Sequence, residues 1–115
     1  MRRKWRASWV VGVLLALCAS PAMAQTGDGA LRGFVKDESG AILPGVTVTA
    51  TSSELLAPVV SVTDDTGLYR LNRLPPGTYV ITAELAGFST TRREGILMRA
   101  GSTFTIDIQM GLSTL

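Results

Sequence analysis

From Ala30 onward, apolar and polar residues alternate with period two in short runs, each cut by turn-forming residues. No stretch of ten or more residues carries an apolar repeat at spacings of three and four, so the pattern predicts strands and hairpins, not helices. Leu31, Gly33 and Val35 alternate with Arg32, Phe34 and Lys36 as a first strand. Asp37-Glu38-Ser39-Gly40 follows as a turn, because Asp and Ser close local side-chain bonds and Gly accepts positive φ. Pro44-Gly45 marks a second turn. Val46, Val48 and Ala50 then alternate with Thr47, Thr49 and Thr51, a β-branched run suited to a half-buried sheet. Ser52–Ala57 reads as a loop and Pro58–Thr63 as a third strand, at an edge because Pro58 has no N–H to donate.

Asp64-Asp65-Thr66-Gly67 reads as a tight hairpin connection into a fourth strand, Leu68–Asn72. Leu74-Pro75-Pro76-Gly77 is a rigid bend before a fifth strand, Thr78–Leu85. Ala86–Glu94 is polar and predicts a loop; Ile96–Arg99 predicts a sixth strand. Thr103–Met110 alternates most cleanly, with Phe104, Ile106, Ile108 and Met110 against Thr103, Thr105, Asp107 and Gln109. Seven short strands at regular spacing predict an all-β protein, a seven-stranded antiparallel β-sandwich. The expected inward set is Leu31, Val35, Val46, Val48, Tyr69, Leu71, Leu74, Tyr79, Ile81, Phe88, Phe104, Ile106 and Ile108.

The first residues follow another logic. Arg2, Arg3, Lys4 and Arg6 precede an uncharged apolar run from Trp9 to Cys18, and Ala22-Met23-Ala24 supplies an A-x-A cleavage signal before Gln25. This order predicts a secretory signal peptide over residues 1–24, cut between Ala24 and Gln25. The apolar run is about half the roughly 20 residues a spanning helix needs. Cleavage leaves 91 residues with seven of the eleven basic groups and all nine acidic ones, a net charge of −2 instead of +2. The basic balance thus belongs to the leader and implies no nucleic-acid partner. Both Trp residues and the single Cys leave too, so no disulfide is expected. With no His in the chain, His-based acid–base and nucleophile systems and His or multi-Cys zinc sites are excluded. The expected division is signal peptide 1–24, flexible leader 25–29, sandwich domain 30–111 and tail 112–115.

Three segments carry a resemblance: GFVKDESGAILPGVTVTAT from Gly33, TDDTGLYRLNRLPPGTYVITAELAGF from Thr63, and RAGSTFTIDIQM ending at Met110. In order and spacing the string resembles the carboxypeptidase regulatory-like domain, a transthyretin-like (prealbumin-like) sandwich. The resemblance implies architectural roles for Gly40, Pro44, Gly45, Gly67, Tyr69, Pro75, Pro76, Gly77, Tyr79, Gly87 and Phe88. It implies a non-catalytic accessory module, and, behind a signal peptide, the N-terminal extension of a TonB-dependent outer-membrane receptor of a Gram-negative bacterium or a truncated or stand-alone relative. The expected location is the periplasm or outer membrane, with no membrane span in the mature chain. Its 91 residues are too few for a receptor barrel, so transport by this chain alone is not expected.

Few residues compete with that architectural reading. Asp37, Asp64 and Asp65 could offer oxygen ligands to Ca²⁺ from one end of the sandwich, although their spacing matches no calcium loop. Lys36 and Asn72 are the mature chain's single Lys and Asn, the residue types of an isopeptide cross-link. Asn72, however, falls on the fourth strand, whereas such a cross-link needs its Asn on the last. Arg70, Arg73, Arg92, Arg93 and Arg99 read as a solvated face. Of five mature aromatics only Phe34 alternates outward, which makes it the candidate ligand contact of an alternative, a periplasmic or secreted carbohydrate-binding module. No nucleophile with a base, paired carboxylates or metal set is visible, so no enzyme activity and no cofactor are expected. The favoured partner is a protein, held by a sheet face or by the unpaired edge of Pro58–Thr63.

Overall fold

The computed structural model describes residues 27–113. The predicted signal peptide and its cleavage residues Ala22, Ala24 and Gln25 lie outside them. The described chain forms eight strands: β1 Gly29–Asp37, β2 Thr47–Thr51, β3 Val59–Val62, β4 Leu68–Leu74, β5 Gly77–Glu84, β6 Thr91–Met98, β7 Thr103–Thr105 and β8 Ile108–Met110. One sheet has the order β4-β1-β7, with β8 continuing along β1 beyond β7; the other has the order β3-β2-β5-β6. The all-β sandwich read from the sequence is therefore the fold, with two differences. The pairings of β1 with β7 and β8 are parallel, not antiparallel. The last predicted strand is also divided, giving eight strands instead of seven.

Leu31, Val35, Tyr69, Leu71, Leu74, Ile108 and Met110 of the first sheet meet Val48, Ala50, Tyr79, Ile81, Ala83 and Met98 of the second in one core. Period-two alternation produces this, since residues i and i+2 share a face of a strand. Val46 joins the core just before β2. Ala50, Ala83, Met98 and Met110 are additions to the expected set, Phe88 and Ile106 are only half-buried, and Phe104 is exposed. Met98, at the end of β6, instead fills the space beside Gly29: a Cβ on Gly29 would collide with its Sδ.

The division of the last strand has a local cause. Gly33 has no side chain, and a Cβ there would overlap the carbonyl of Ile106. The chain uses that gap. Ile106 N–H donates to Arg32 C=O at 2.8 Å. Its own carbonyl accepts the Tyr69 hydroxyl at 2.5 Å. Asp107 then turns its carboxylate to accept Phe34 N–H at 3.0 Å, taking the place of a ladder bond.

β6 begins five residues earlier than predicted, absorbing Thr91–Glu94 from the expected loop together with Gly95. These residues are polar because an edge strand needs apolar alternation less than a central one. The register shifts opposite Tyr79/Ile81, where Gly95 sits at φ 71°. The first strand likewise takes in Gly29 from the expected leader. Leu112 of the expected tail is bridged to Phe88, and Ser113 N–H donates to Gly87 C=O.

Candidate functional site

Two turns share one construction. In Asp37-Glu38-Ser39-Gly40-Ala41, Asp37 Oδ1 accepts Ser39 N–H, Ser39 Oγ–H and Ala41 N–H at 2.9, 2.6 and 3.0 Å. In Asp64-Asp65-Thr66-Gly67-Leu68, Asp64 Oδ1 accepts Thr66 N–H, Thr66 Oγ1–H and Leu68 N–H at 2.8, 2.6 and 3.1 Å. The fourth residue of each, Gly40 or Gly67, is left-handed at φ 87° or 77°, which a Cβ would strain. The hydroxyl of Ser39 lowers the Asp37 carboxyl below its usual value, and that of Thr66 does the same for Asp64, each helped by backbone N–H groups. These carboxylates are engaged in turn closure. Among the described residues no three acidic or sulfur groups, Asp37, Asp64 and Asp65 included, converge as a metal site.

The other architectural residues fall at their expected bends. Pro44 and Gly45 precede β2, where Gly45 N–H donates to Thr63 C=O. Thr63, which the alternation did not single out, is the one buried polar side chain among the described residues. Its Oγ1 donates to Leu43 C=O and accepts Val46 N–H, clamping this loop from the far end of β3. Pro75-Pro76 joins β4 to β5, and the Tyr79 hydroxyl donates back to Pro75 C=O at 2.6 Å. Gly87-Phe88 turns toward Leu112.

Phe34 is 39% exposed and borders an open groove of about 460 Å³. Lys36 of β1, Gln109 of β8, Arg93 of β6 and Asp107, between β7 and β8, line it too, with the Asp37–Gly40 turn at one end. Sequence reasoning missed Asp107, Gln109 and Arg93 here, because parallel pairing of β8 with β1 brings Asp107 and Gln109 beside Phe34, and Arg93 reaches across from β6, where its guanidinium donates to Asp107 C=O at 3.4 Å. Phe104 is exposed as well, at 37%, a correction to its expected burial. It pairs with inward-facing Leu31, so the two rings belong to opposite faces and form no common platform. The arginines do not form one face. Arg70 is on β4 of the first sheet and Arg92 and Arg93 are on β6 of the second, where Arg92 is paired with Glu94 at 2.7 Å. Lys36 stands five residues along β1 from Leu31, whose partner Leu71 precedes Asn72. That separates the Lys36 and Asn72 backbones by about 16 Å or more.

The four sheet edges differ sharply. β6 carries Arg92, Arg93 and Glu94 and an irregular register, and β7 and β8 are three residues each. β4 carries Arg70, Asn72 and Arg73, the last at φ 58°, and its Arg70 N–H is taken by Ser61 Oγ at 3.3 Å. Charges, bulges and short strands are the usual guards against edge pairing. β3, Val59-Val60-Ser61-Val62, is four residues long behind Pro58 but carries neither charge nor bulge. Among the described residues it pairs only with β2, as the edge predicted for Pro58–Thr63, and Val60 and Val62 are 57% and 58% exposed on its outer face.

Residues 30–111 match the model of the carboxypeptidase regulatory-like domain. The chain belongs to this family. Among curated proteins, the carboxypeptidase regulatory-like domain is similar to the TonB-dependent transporter Oar of Myxococcus xanthus, with 33% identity over 96% of this chain. The chain spans 10% of that relative's length. Among solved structures, it resembles the TIE protein of Bacillus anthracis, with a TM-score of 0.60 and 21% identity over 75% of this chain and 17% of that one. It also resembles a proposed carbohydrate-binding protein of Bacteroides uniformis, with a TM-score of 0.59 and 17% identity over 73% and 41% of the two chains. At these identities the structural likeness concerns the fold. No helix among the described residues is long and apolar enough to cross a membrane.

Proposed function

We propose that this carboxypeptidase regulatory-like domain is a non-catalytic protein-interaction module, exported to the periplasm as the front of a TonB-dependent receptor or a detached relative. The observation that carries this reading is the 33% identity to a TonB-dependent transporter across nearly the whole chain. The leader, with its basic start, apolar run and A-x-A site, supports export. The uncharged, bulge-free β3 edge offers the means of contact, since exposed backbone groups of an edge strand accept a further strand. A tagged full chain expressed in a Gram-negative host is expected to lose residues 1–24 and to fractionate with the cell envelope, alongside a TonB-dependent receptor. Recovery of the uncleaved chain from the cytosol would overturn the proposal.

The Phe34 groove favours a second reading, a carbohydrate-binding module. An exposed aromatic flanked by an amide, a carboxylate and two cations combines a stacking surface with donors and acceptors. On that reading Phe34→Ala abolishes retention on a glycan array. Glycan affinity unchanged in Phe34→Ala would remove this site.

A further inference from the structure

The β3 edge carries more than a general capacity to bind. Thr63 N–H donates to Val46 C=O, so Thr63 and, by alternation, Ser61 and Val59 direct their N–H groups toward β2. Val60 and Val62 therefore direct theirs away from the sheet, at the free edge. Their side chains lie on the outer face of the second sheet, with Thr47 and Thr49 as their partners on β2. Leu56, a few residues before β3, is fully exposed. Three of the large exposed apolar residues thus fall within seven positions at one uncharged edge, a concentration that marks an interaction surface. Ser61, facing inward, accepts Arg70 N–H of the neighbouring β4 edge, and among the described residues no strand pairs with β3 on the side away from β2.

We propose that the occupant of this edge is β3 of a second copy of the chain, paired antiparallel across a two-fold axis at Ser61. The pairing deepens the reading of the domain as an interaction module and rests on it. The outward-directed residues fix the register: Val60 faces the partner copy's Val62, and Val62 its Val60. Each opposed pair exchanges both backbone bonds, giving four in all. The four exposed valines then meet on one face as cross-strand neighbours. Charge allows it, because Asp64 and Asp65 fall opposite Pro58 and Ala57 of the partner copy, so no like charges are opposed. Pro58 lacks an N–H, and Asp64 N–H is already given to Leu68 C=O, so the pairing ends after these four bonds. A two-fold contact consumes both edges, which closes the assembly at a dimer.

The test is sedimentation equilibrium on the purified full chain. A reversible dimer is expected in the wild type and loss of dimer in Val60→Pro, which removes an outward N–H without touching the β2 ladder. Val62→Lys, a surface change on an exposed side chain, covers the case in which Val60→Pro does not fold. It is expected to weaken the dimer at least about tenfold. In a Cys18→Ser background, Ser61→Cys is expected to cross-link under mild oxidation. The unbonded Ser61 pair has a Cα spacing of about 4.5 Å, within disulfide range. Ser53→Cys, on the loop before β3, serves as the control. A wild type that stays monomeric up to about 1 mM, a dimer indifferent to both valine changes, or Ser53→Cys cross-linking as fast as Ser61→Cys would each overturn the proposal. Envelope fractionation with a receptor, combined with a monomeric wild type, would remove the dimer and leave the interaction-module reading standing.

Discussion

At the scale of single residues, the two aspartate turns show how closely chemistry follows spacing. Asp37 and Asp64 each gather three donors through one oxygen, while Asp65, next to Asp64, holds no side-chain hydrogen bond among the described residues. Asp64→Ala is therefore expected to lower the urea unfolding midpoint and Asp65→Ala to leave it within error. Because both engaged carboxyls are lowered in the folded state, their contribution is fully present above the unfolded carboxylate range near 3.8 and is lost as pH falls through the folded values. Acid titration of stability is accordingly expected to be shallower in Asp37→Ala/Asp64→Ala than in wild type, and an unchanged slope would contradict the assignment. Both turns were legible in the sequence because their bonds are local. The Phe34 groove was not: Arg93, Asp107 and Gln109 reach it from positions some sixty or seventy residues away. No alternation pattern reports which strands become neighbours.

At the scale of elements, what the sequence left open is governed by exceptions to alternation. Thr103–Met110 alternates without a flaw, yet it is broken at Ile106-Asp107 because Gly33, seventy residues earlier, leaves room for the Ile106 carbonyl. β6 has almost no apolar alternation over Thr91–Gly95, yet it pairs with β5, because hydrogen bonding at an edge does not demand burial of every second side chain. The strands that build the core were legible since burial selects their alternation; the guarded edges were not, because charge and irregularity there oppose pairing. Gly33→Ala tests the first exception. Its Cβ meets backbone, which cannot swing aside as a side chain end can, so a loss of about 1–3 kcal/mol is expected in denaturant unfolding. Gly27→Ala, where a Cβ would stand at an ordinary 3.5 Å from its nearest neighbour, serves as the control. Equal stability of the two variants would show that the break has another origin.

At the scale of the whole molecule, the first and last strands lie side by side in one sheet, and Tyr69 fastens that arrangement. β1 is flanked by β4 on one side and by β7 and β8 on the other, and the Tyr69 hydroxyl reaches from β4 past Gly33 to the Ile106 carbonyl. Burial, reinforced by the Asp107 charge and opposed by Arg93, pushes its phenol up to about 12. Tyr79, held to Pro75 C=O, is raised as well, chiefly by burial. A tyrosine in the unfolded chain titrates near 10. The folded state thus favours the neutral phenols: their contribution is complete below about pH 10 and declines as pH rises toward 12. The full chain has only these two tyrosines. Phenolate absorbance is therefore expected to stay flat through pH 10 and then rise together with loss of the β-sheet circular dichroism signal. Tyr69→Phe removes the hydroxyl and leaves the Ile106 carbonyl without its partner, costing about 1 kcal/mol or slightly more at neutral pH. In that variant the alkaline transition is expected to become less steep, because one of the two linked protons is gone. Tyrosines ionising near pH 10 with the sheet signal intact would show that the hydroxyl does not tie the two ends of the chain together.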